Sequence, residues 1–266
     1  MKKILVLTPR FPYPVIGGDR LRIYRLCEQL SKQYQLTLLS LCESQDEMDM
    51  VVSDSVFTDI HRVYLSKKCS TINALLAIPS RVPLQIAYYQ SRSFADKLEE
   101  LLPSHDGTLS HLIRVGDYVK GEAGVHLLEM TDAISLNYKR VRDIASKRNL
   151  KSIIYSIEQH RLERYERQVK NGFALTSLVS EIDKSFLFGI DSENVMVCGN
   201  GVDTAHLPFV HRNFFADKPI NLIFIGNMLS MQNMDAVSWF SKEVLPLLNA
   251  SGSFSLKVIG LSLIHI

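Results

Sequence analysis

The chain has 266 residues, of which 46% are hydrophobic and 22% charged, and its formal net charge is +2. These values are typical of a globular protein with no global field that favours nucleic acid, so we expect no nucleic-acid partner. The four cysteines form no C-x-x-C pair, and we interpret them as buried, reduced thiols of a cytoplasmic protein. The apolar run ILVL near the N-terminus is too short for a signal peptide or a membrane span.

Short apolar segments alternate with helical segments along most of the chain. A helix is expected over residues 19–33, with Leu21, Tyr24, Cys27 and Leu30 as its apolar stripe. The strand candidates are apolar throughout, which indicates a parallel sheet covered on both faces. They include ILVLT, QLTLLSLC, LSHLIRV, VHLLEM, FALTSLVS and NVMVCGN. The fold class predicted for this region is therefore α/β, a doubly wound Rossmann-like domain.

The turn between the first strand and the first helix carries a Gly-Gly pair, Gly17 and Gly18, followed by Asp19 as the expected N-cap. Backbone N–H groups and the positive end of the helix dipole would then face the carboxyl edge of the sheet, where ligands bind. The alternative is that the glycines only permit a positive φ in a turn. The spacing does not match G-x-G-x-x-G.

Three arginines follow in the first turns of this helix, Arg20, Arg22 and Arg25, where cations oppose the helix dipole. An anionic ligand such as a diphosphate or a lipid phosphate would compensate for this cost. Alternatively, Arg22 or Arg25 pairs with Glu28 or Glu129 as a surface charge. If a ligand is the partner, replacing Arg20 or Arg22 by alanine should lower activity without lowering stability.

Two acidic residues, Glu129 and Asp132, follow another strand in the stretch LLEMTDAIS, on the same edge as the glycines. A carboxylate there can orient a hydroxyl or act as a base, which makes Asp132 a candidate catalytic group. Asp132 could equally cap the helix expected to begin at Ala133. Residues 133–172, rich in Glu and Arg, predict a solvated, salt-bridged helix face. The sequence contains no Asp-x-Asp pair, P-loop, H-E-x-x-H or G-x-S-x-G, so we expect no metal and no cofactor.

The chain divides into domains after the stretch GNGVD. We expect a first domain over residues 1–205, a linker over 206–219 and the incomplete start of a second domain over 220–260. The segments INLIFIGNM, NMDAVSWFSKEVLPLL and FSLKVIG form one βαβ unit in that second domain. The last six residues, 261–266, look like a translated sequencing adapter and are expected to be a non-native tail.

The stretch GNGVD itself provides Asn200, Gly201 and Asp203 as residues of a hinge or of an interdomain cleft. Asn-Gly is also a strong turn signal, so the alternative is a simple chain reversal.

Several stretches, taken in order, resemble glycosyltransferases of family four, and among them the sugar transferases associated with exopolysaccharide and exosortase loci. The stretches are KILVLTPRFPYPVIGGDRLRIYRLCEQLSKQYQLTLLSL, SIEQHRLERYERQVKNGF, LVSEIDKSFL, GNGVD and IFIGNMLSMQNMDAVSWFSKEVLPLL. The resemblance implies a GT-B architecture, in which two Rossmann-like domains hold the acceptor and the sugar nucleotide respectively. It places Gly17 and Gly18 near the donor diphosphate or the acceptor, Asn200 to Asp203 at the crossover, and Gly226 near the pyrophosphate. The Glu-x7-Glu motif of the family is absent and would lie downstream of Ile266.

The resemblance thus implies a metal-independent glycosyltransferase of the hexosyltransferase type. It would transfer a sugar from a nucleoside-diphosphate sugar to a lipid-linked or saccharide acceptor in polysaccharide biosynthesis. The expected location is the cytoplasm, with peripheral association at the inner face of the membrane. The 266-residue chain alone is expected to be inactive. The alternatives are a sugar-nucleotide epimerase of GT-B architecture and a non-catalytic binding fragment.

Overall fold

The computed structural model describes the chain in three stretches, residues 1–144, 150–211 and 219–260. Contacts divide the chain into two compact units, Met1–Gly201 and Val202–Ile266. The predicted linker, residues 206–219, falls partly outside the described residues, and the predicted tail, residues 261–266, falls wholly outside them.

The described part of the first unit contains one parallel sheet. Its strands are β1 (Lys3–Thr8), β2 (Gln35–Cys42), β3 (Asp59–Tyr64), β4 (Gly107–His111), β5 (Val125–Thr131), β6 (Leu175–Leu178) and β7 (Val195–Val197). The strand order is β3-β2-β1-β4-β5-β6-β7. This arrangement confirms the predicted α/β Rossmann-like fold class.

The helices of the first unit run between these strands. They are α1 (Gly18–Leu30), α2 (Gln45–Asp49), α3 (Lys67–Leu76), α4 (Leu84–Tyr88), α5 (Arg92–Leu101), α6 (Ile134–Ile144), α7 (Leu150–Val169) and α8 (Glu181–Phe188). The predicted strand LSHLIRV is strand only as far as His111, and Ile113–Val119 is a 3₁₀ helix. Polar residues interrupt the sequence DIHRVY of β3, an edge strand, so it lacks the continuous apolar run that marks the central strands.

The core lies on both faces of the sheet, because successive strand residues point to opposite sides. Leu5 and Leu7 of β1 pack into one cluster, whereas Val6 packs into a second cluster with Ile23 and Cys27 of α1. Burial on both faces explains why β1 and β2 are apolar at consecutive positions.

Helix α1 differs from its prediction in bounds and in orientation. It begins at Gly18 rather than at Asp19, and it buries Ile23 and Cys27 while Leu21 remains 45% exposed. The predicted apolar stripe was therefore wrong at Leu21. The buried face also carries a charged side chain, that of Arg22.

Helix α7 is less solvated than its sequence predicts. The exposed ion pair between Arg167 and Glu163 fits the prediction, with 2.9 Å between Nη2 and Oε1. However, Glu158, Leu162 and Glu166 of the same helix are buried. These positions recur every four residues, which is the face of a helix that packs against the domain.

The second unit contains the predicted βαβ arrangement. Strand β8 (Ile220–Ile225) pairs in parallel with β9 (Phe254–Ile259). Between them lies a helical segment made of α9 (Met231–Trp239), a π-helical turn (Phe240–Val244) and α10 (Leu245–Ser251).

Candidate functional site

The strand order of the first unit reverses between β1 and β4, since β2 lies on one side of β1 and β4 on the other. In an open parallel sheet, such a reversal separates the loops that follow the two strands and leaves a crevice at their carboxyl ends. The loop after Thr8 and the segment after His111 flank this point. The predicted Gly17 and Gly18 belong to the first of these loops.

The turn into α1 uses both glycines, in different ways. Gly17 is the N-cap residue and has φ 98°, a conformation that L-residues rarely adopt, so the turn requires glycine there. A Cβ on Gly18 would meet no heavy atom within 4 Å. Asp19 was predicted as the N-cap but lies in the first turn, where its Oδ2 is 3.7 Å from Nη1 of Arg10.

A buried ion pair connects α1 to β5. Arg22 Nε donates to Glu129 Oε1 at 2.7 Å, and both side chains are almost fully buried. The same guanidinium donates from Nη1 to Oδ1 of Asn200 at 2.9 Å and from Nη2 to the carbonyl oxygen of Cys198 at 2.8 Å. Arg22 therefore contacts two other predicted site residues, Glu129 and Asn200, which come from distant parts of the sequence. One alternative paired Arg22 with Glu129 as a surface charge, and burial shows that the pair is internal.

Glu129 is held from further directions. His111, at the end of β4, donates from Nδ1 to Oε2 at 2.6 Å, and the backbone N–H of Thr131 donates to Oε1 at 2.9 Å. Burial raises the pKa of Glu129, but the hydrogen bond and charge of His111 and the charge of Arg22 outweigh it and hold the pKa below its ordinary value. A carboxylate engaged in this way is ionised and positions its neighbours. His111 belongs to no sequence motif and was not predicted as a site residue, and its one signal is its place at the end of a buried strand.

Two residues beside this network have unusual backbone conformations. Leu112, directly after β4, has φ 65°, and Thr131, at the end of β5, has φ 66°. A positive φ in such residues costs on the order of 1–3 kcal/mol and persists only where surrounding contacts enforce it. Here the N–H of Leu112 donates to the carbonyl oxygen of Glu129 at 2.7 Å, and the hydroxyl of Thr131 donates to the carboxylate of Glu129. Such strain is concentrated at functional sites in proteins.

The other two arginines of α1 also have acidic partners. Arg20 Nη2 lies 2.7 Å from Glu47 Oε1, and Arg25 Nη1 lies 2.9 Å from Glu28 Oε2 in a more exposed pair. The pairing of Arg25 with Glu28 is the surface alternative considered from the sequence. Both arginines thus form ion pairs with carboxylates of the protein, and a ligand role for Arg20 stays a prediction.

Asp132 lies at the same edge but outside the Arg22 network. Its Oδ2 accepts from Nδ2 of Asn137 at 2.5 Å. Burial raises the pKa of Asp132, and the negative charge of Asp183 adds to this effect. A carboxyl group with a raised pKa is suited to proton transfer, which keeps Asp132 as a candidate.

Asp132 does not provide the carboxylate that caps α6. The N–H of Ala133 donates to Oδ1 of Asp183 at 3.1 Å, and the N–H groups of Ile134 and Ser135 donate to Glu166 at 2.7 and 3.2 Å. Burial raises the pKa of Glu166 to about 7, although these donors favour its ionised form. Capping by distant carboxylates from α7 and α8 could not be predicted from local sequence.

A cleft of about 410 Å³ lies in the first unit between α3, the start of α5 and the segment after β4. Its charged lining consists of Arg92, Arg114 and Asp117, so cations outnumber carboxylates there, and the phenol of Tyr118 also lines it. The guanidinium of Arg114 lies 5.4 Å from the ring centroid of Tyr89, whose hydroxyl accepts from Nε of Arg10 at 3.0 Å. Tyr89 thus links the cleft to the loop after β1.

The remaining predicted residues lie close to the boundary of the units or in the second unit. Asp203 is exposed and binds His206, with 2.8 Å between Oδ2 and Nδ1, and this hydrogen bond lowers the pKa of Asp203. A Cβ on Gly201 would meet no heavy atom within 4 Å, so the backbone there is open. The N–H of Gly226, directly after β8, donates to the carbonyl oxygen of Ile259 at 3.0 Å.

The cysteines differ from their prediction. Cys27 and Cys42 are buried, but Cys69 is exposed and Cys198 is partly buried. Within the described residues, no three His, Cys, Asp or Glu side chains are grouped as metal ligands. None of the helices in the described stretches is both long enough and apolar enough to span a bilayer.

No protein-family model and no curated protein sequence matches the chain. Solved structures do match over 98% of the chain. The sucrose-phosphate synthase of Thermosynechococcus elongatus has a TM-score of 0.55 at 10% identity, with 70% of that structure covered. The N-terminal domain of the Candida albicans trehalose-6-phosphate phosphatase has a TM-score of 0.57 at 11% identity, with 64% covered. The trehalose-6-phosphate synthase OtsA has a TM-score of 0.53 at 11% identity, with 65% covered. The chain therefore has the fold of GT-B glycosyltransferases and spans about two thirds of their length.

Proposed function

We propose that the chain provides the acceptor-side domain and the start of the donor domain of a glycosyltransferase. The enzyme would transfer a sugar from a nucleoside-diphosphate sugar to a lipid-linked or saccharide acceptor in polysaccharide biosynthesis. The observation that supports this most directly is the cluster of polar residues at the carboxyl edge, next to the strand-order reversal of a GT-B fold. Fold likeness alone does not specify chemistry, so the residues at this edge are the main support for the proposal.

The start of α1 is the proposed contact for phosphate. Gly17 occupies the N-cap and has no side chain, so the backbone N–H groups of the first turn face the crevice without a capping oxygen from that position. The helix dipole adds partial positive charge there, which favours an anionic group. In a transfer without a metal ion, such N–H groups and nearby cations would stabilise the charge of the leaving diphosphate.

The Arg22–Glu129 network is proposed to position this loop. Nε, Nη1 and Nη2 of Arg22 each donate to a protein oxygen, and both carboxylate oxygens of Glu129 accept. The network fixes the first turns of α1 against β5 and against the chain that follows β7. Glu129 is therefore assigned as a positioning residue, and Asp132 remains the candidate for proton transfer.

The acceptor is proposed to bind in the cleft that contains Arg92 and Arg114. Two guanidinium groups beside aromatic rings suit a saccharide that carries a phosphate, because arginine binds phosphate oxygens and aromatic faces pack on sugar rings. This arrangement supports a lipid-linked or anionic saccharide acceptor.

Two measurements test the proposal. The first is transfer of labelled sugar from UDP-, GDP- and dTDP-sugars to lipid and saccharide extracts, using the protein as its source expresses it. The second is calorimetric titration of nucleoside diphosphates and acceptors into the Gly18→Val variant. The valine should weaken binding by about 1–3 kcal/mol, since it blocks backbone approach while meeting no protein atom.

Gly172→Val is the matched control, because Gly172 also has open space around its Cβ position, with only Lys120 Cγ at 4.0 Å. Equal affinity in the two variants would mean that the Gly17–Gly18 loop is a simple turn and does not bind the ligand. Interconversion of the donor sugar without any acceptor would instead favour the epimerase alternative.

A further inference from the structure

Within the described part of the first unit, helix α3 and the turn after it carry four exposed apolar side chains close together in the sequence. Ile72, Leu75 and Leu76 are 54%, 58% and 72% exposed, and Ile78 follows at 53%. The first three occupy positions i, i+3 and i+4 of α3, which place them on one side of the helix. We call these four residues the α3 surface.

The opposite side of the helix is the one that packs against the domain. Ser70 and Ala77, seven residues apart, are buried, and Nδ2 of Asn73 donates to the carbonyl oxygen of Gln90 at 2.9 Å. The carbonyl oxygen of Ile78 accepts from Nη2 of Arg161 at 2.7 Å, which fixes the end of the segment. The exposed leucines therefore belong to an anchored helix.

The segment of the sequence that contains the α3 surface carries charge of one sign. Between Asp59 and Asp96 the sequence contains no Asp or Glu, whereas it contains five cations. These are Arg62, Lys67, Lys68, Arg81 and Arg92. Lys67 and Lys68 are exposed in the first turn of α3, and Arg81 is exposed after it. In a chain with 30 basic and 28 acidic residues, this segregation is local.

We propose that the α3 surface docks the protein on an anionic lipid bilayer. An exposed apolar face flanked by cations fits the boundary between acyl chains and headgroups, where apolar side chains insert and cations meet lipid phosphates. Each lysine near an anionic bilayer contributes roughly fivefold to binding, and each inserted leucine contributes at least as much. If a second protein covered the α3 surface, the excess of cations in this segment would not be required.

The cleft described above lies against the opposite, domain-facing side of α3, since Asn73 is the residue of α3 that lines it. Docking through the α3 surface would leave Arg92 and Arg114 one helix diameter, roughly 10 Å, behind the docked face. The inference extends the proposed function but does not depend on it, because vesicle binding is measured without any sugar transfer.

The test is flotation of the purified 266-residue chain with vesicles of phosphatidylcholine, with and without 30% phosphatidylglycerol. We expect binding to the anionic vesicles that weakens with salt. Leu75→Ser/Leu76→Ser and Lys67→Gln/Lys68→Gln should each reduce the partition coefficient about tenfold or more. The matched controls are Ile182→Ser/Ile190→Ser, at sites 64% and 73% exposed, and Lys2→Gln/Lys120→Gln. These controls should bind like the unmodified chain.

A second measurement does not alter the α3 surface residues. Cys69 is exposed in α3, and replacing the partly buried Cys198 by serine leaves Cys69 as the accessible thiol, because Cys27 and Cys42 are buried. An environment-sensitive fluorophore on Cys69 should shift to the blue with anionic vesicles and not with neutral ones.

Three results would overturn the proposal. One is equal binding to neutral and anionic vesicles, and another is equal loss in the control variants. The third is self-association in sedimentation velocity that Leu75→Ser/Leu76→Ser abolishes while no vesicles are bound, which would make the surface an interface between copies of the chain.

Discussion

Two helices, α1 and α6, begin at the carboxyl edge of the same sheet, and their first turns are completed in opposite ways. Helix α6 has its first N–H groups bonded to the carboxylates of Asp183 and Glu166. Helix α1 has a glycine at its N-cap, and the buried carboxylate of Glu129 binds the side chain of Arg22. The first turn of α6 is therefore capped by protein carboxylates, whereas α1 begins at a glycine that has no capping side chain.

The difference also separates two buried glutamates. Glu129 has a cation and a histidine as partners, which hold its pKa below the ordinary value despite burial. In the described stretches, Glu166 accepts from N–H and O–H groups, and burial, with a smaller effect of the Asp132 charge, raises its pKa to about 7. The kind of partner, more than the extent of burial, decides the charge of a carboxyl group at this edge.

The largest expected effect comes from breaking the anchor of α1. Glu129→Ala leaves the Arg22 guanidinium buried without its anion, and we expect a loss of about 3–5 kcal/mol in the free energy of unfolding. Urea denaturation measures this loss. Arg22→Met/Glu129→Leu should lose less than Glu129→Ala, because it removes both charges and keeps apolar volume. A loss below about 1 kcal/mol in Glu129→Ala would mean that the pair does not anchor the helix. Arg22→Ala should also be destabilising, because it leaves Glu129 buried without this cation, and this result would differ from the expectation from sequence.

The pH dependence of stability tests the contrast between the two glutamates. Because the folded pKa of Glu166 is raised, its contribution is present below the unfolded pKa of about 4.3 and is lost as pH rises to about 7, by roughly 3 kcal/mol. Glu129 has a lowered pKa, so its contribution is present above about pH 4.3 and is lost as pH falls through its folded pKa.

Denaturation curves at several pH values should therefore show a decline between about pH 4.3 and 7 in the unmodified chain. Glu166→Gln should flatten this decline, and Glu163→Gln, on the exposed side of α7, should not. An identical slope in Glu166→Gln would show that another group causes the decline.

A smaller effect is expected at the start of α1 itself. Gly17→Ala forces an L-residue to φ 98° and should cost about 1–2 kcal/mol. Gly18→Ala meets open space in a helical conformation and should leave stability unchanged or raise it by up to about 1 kcal/mol. Thermal melts of the two variants side by side decide this. Equal melting temperatures would show that the positive φ at Gly17 does not require glycine.

The smallest effect is expected at Arg20. Its pair with Glu47 is partly exposed, with side chains 24% and 15% exposed, so Arg20→Ala should cost less than about 1 kcal/mol. The loss should diminish in high salt, unlike that of Glu129→Ala. A salt-independent loss as large as that of Glu129→Ala would make this pair a second anchor.

The amino-acid sequence by itself determined the fold class and showed which loops follow the strands at the carboxyl edge of the sheet. Continuous apolar runs such as those of β1 and β2 specify strands covered on both faces, and glycines after β1 specify the turn into α1. These features are local, because a periodicity or a turn residue constrains only its own segment. The interpretation of Asp19 as N-cap and Leu21 as core was wrong for the same reason, since spacing does not define which way a helix faces.

Only the tertiary structure decided which polar residues meet. The network joins four residues that are far apart along the chain, because β4, β5 and β7 end at one edge of the sheet. These residues are Arg22, His111, Glu129 and Asn200. Nothing near Ala133 indicates that Glu166 completes the first turn of α6. Hydrogen bonds and charges act over a few ångströms, so they depend on strand order and helix packing, which the local pattern of the sequence leaves open.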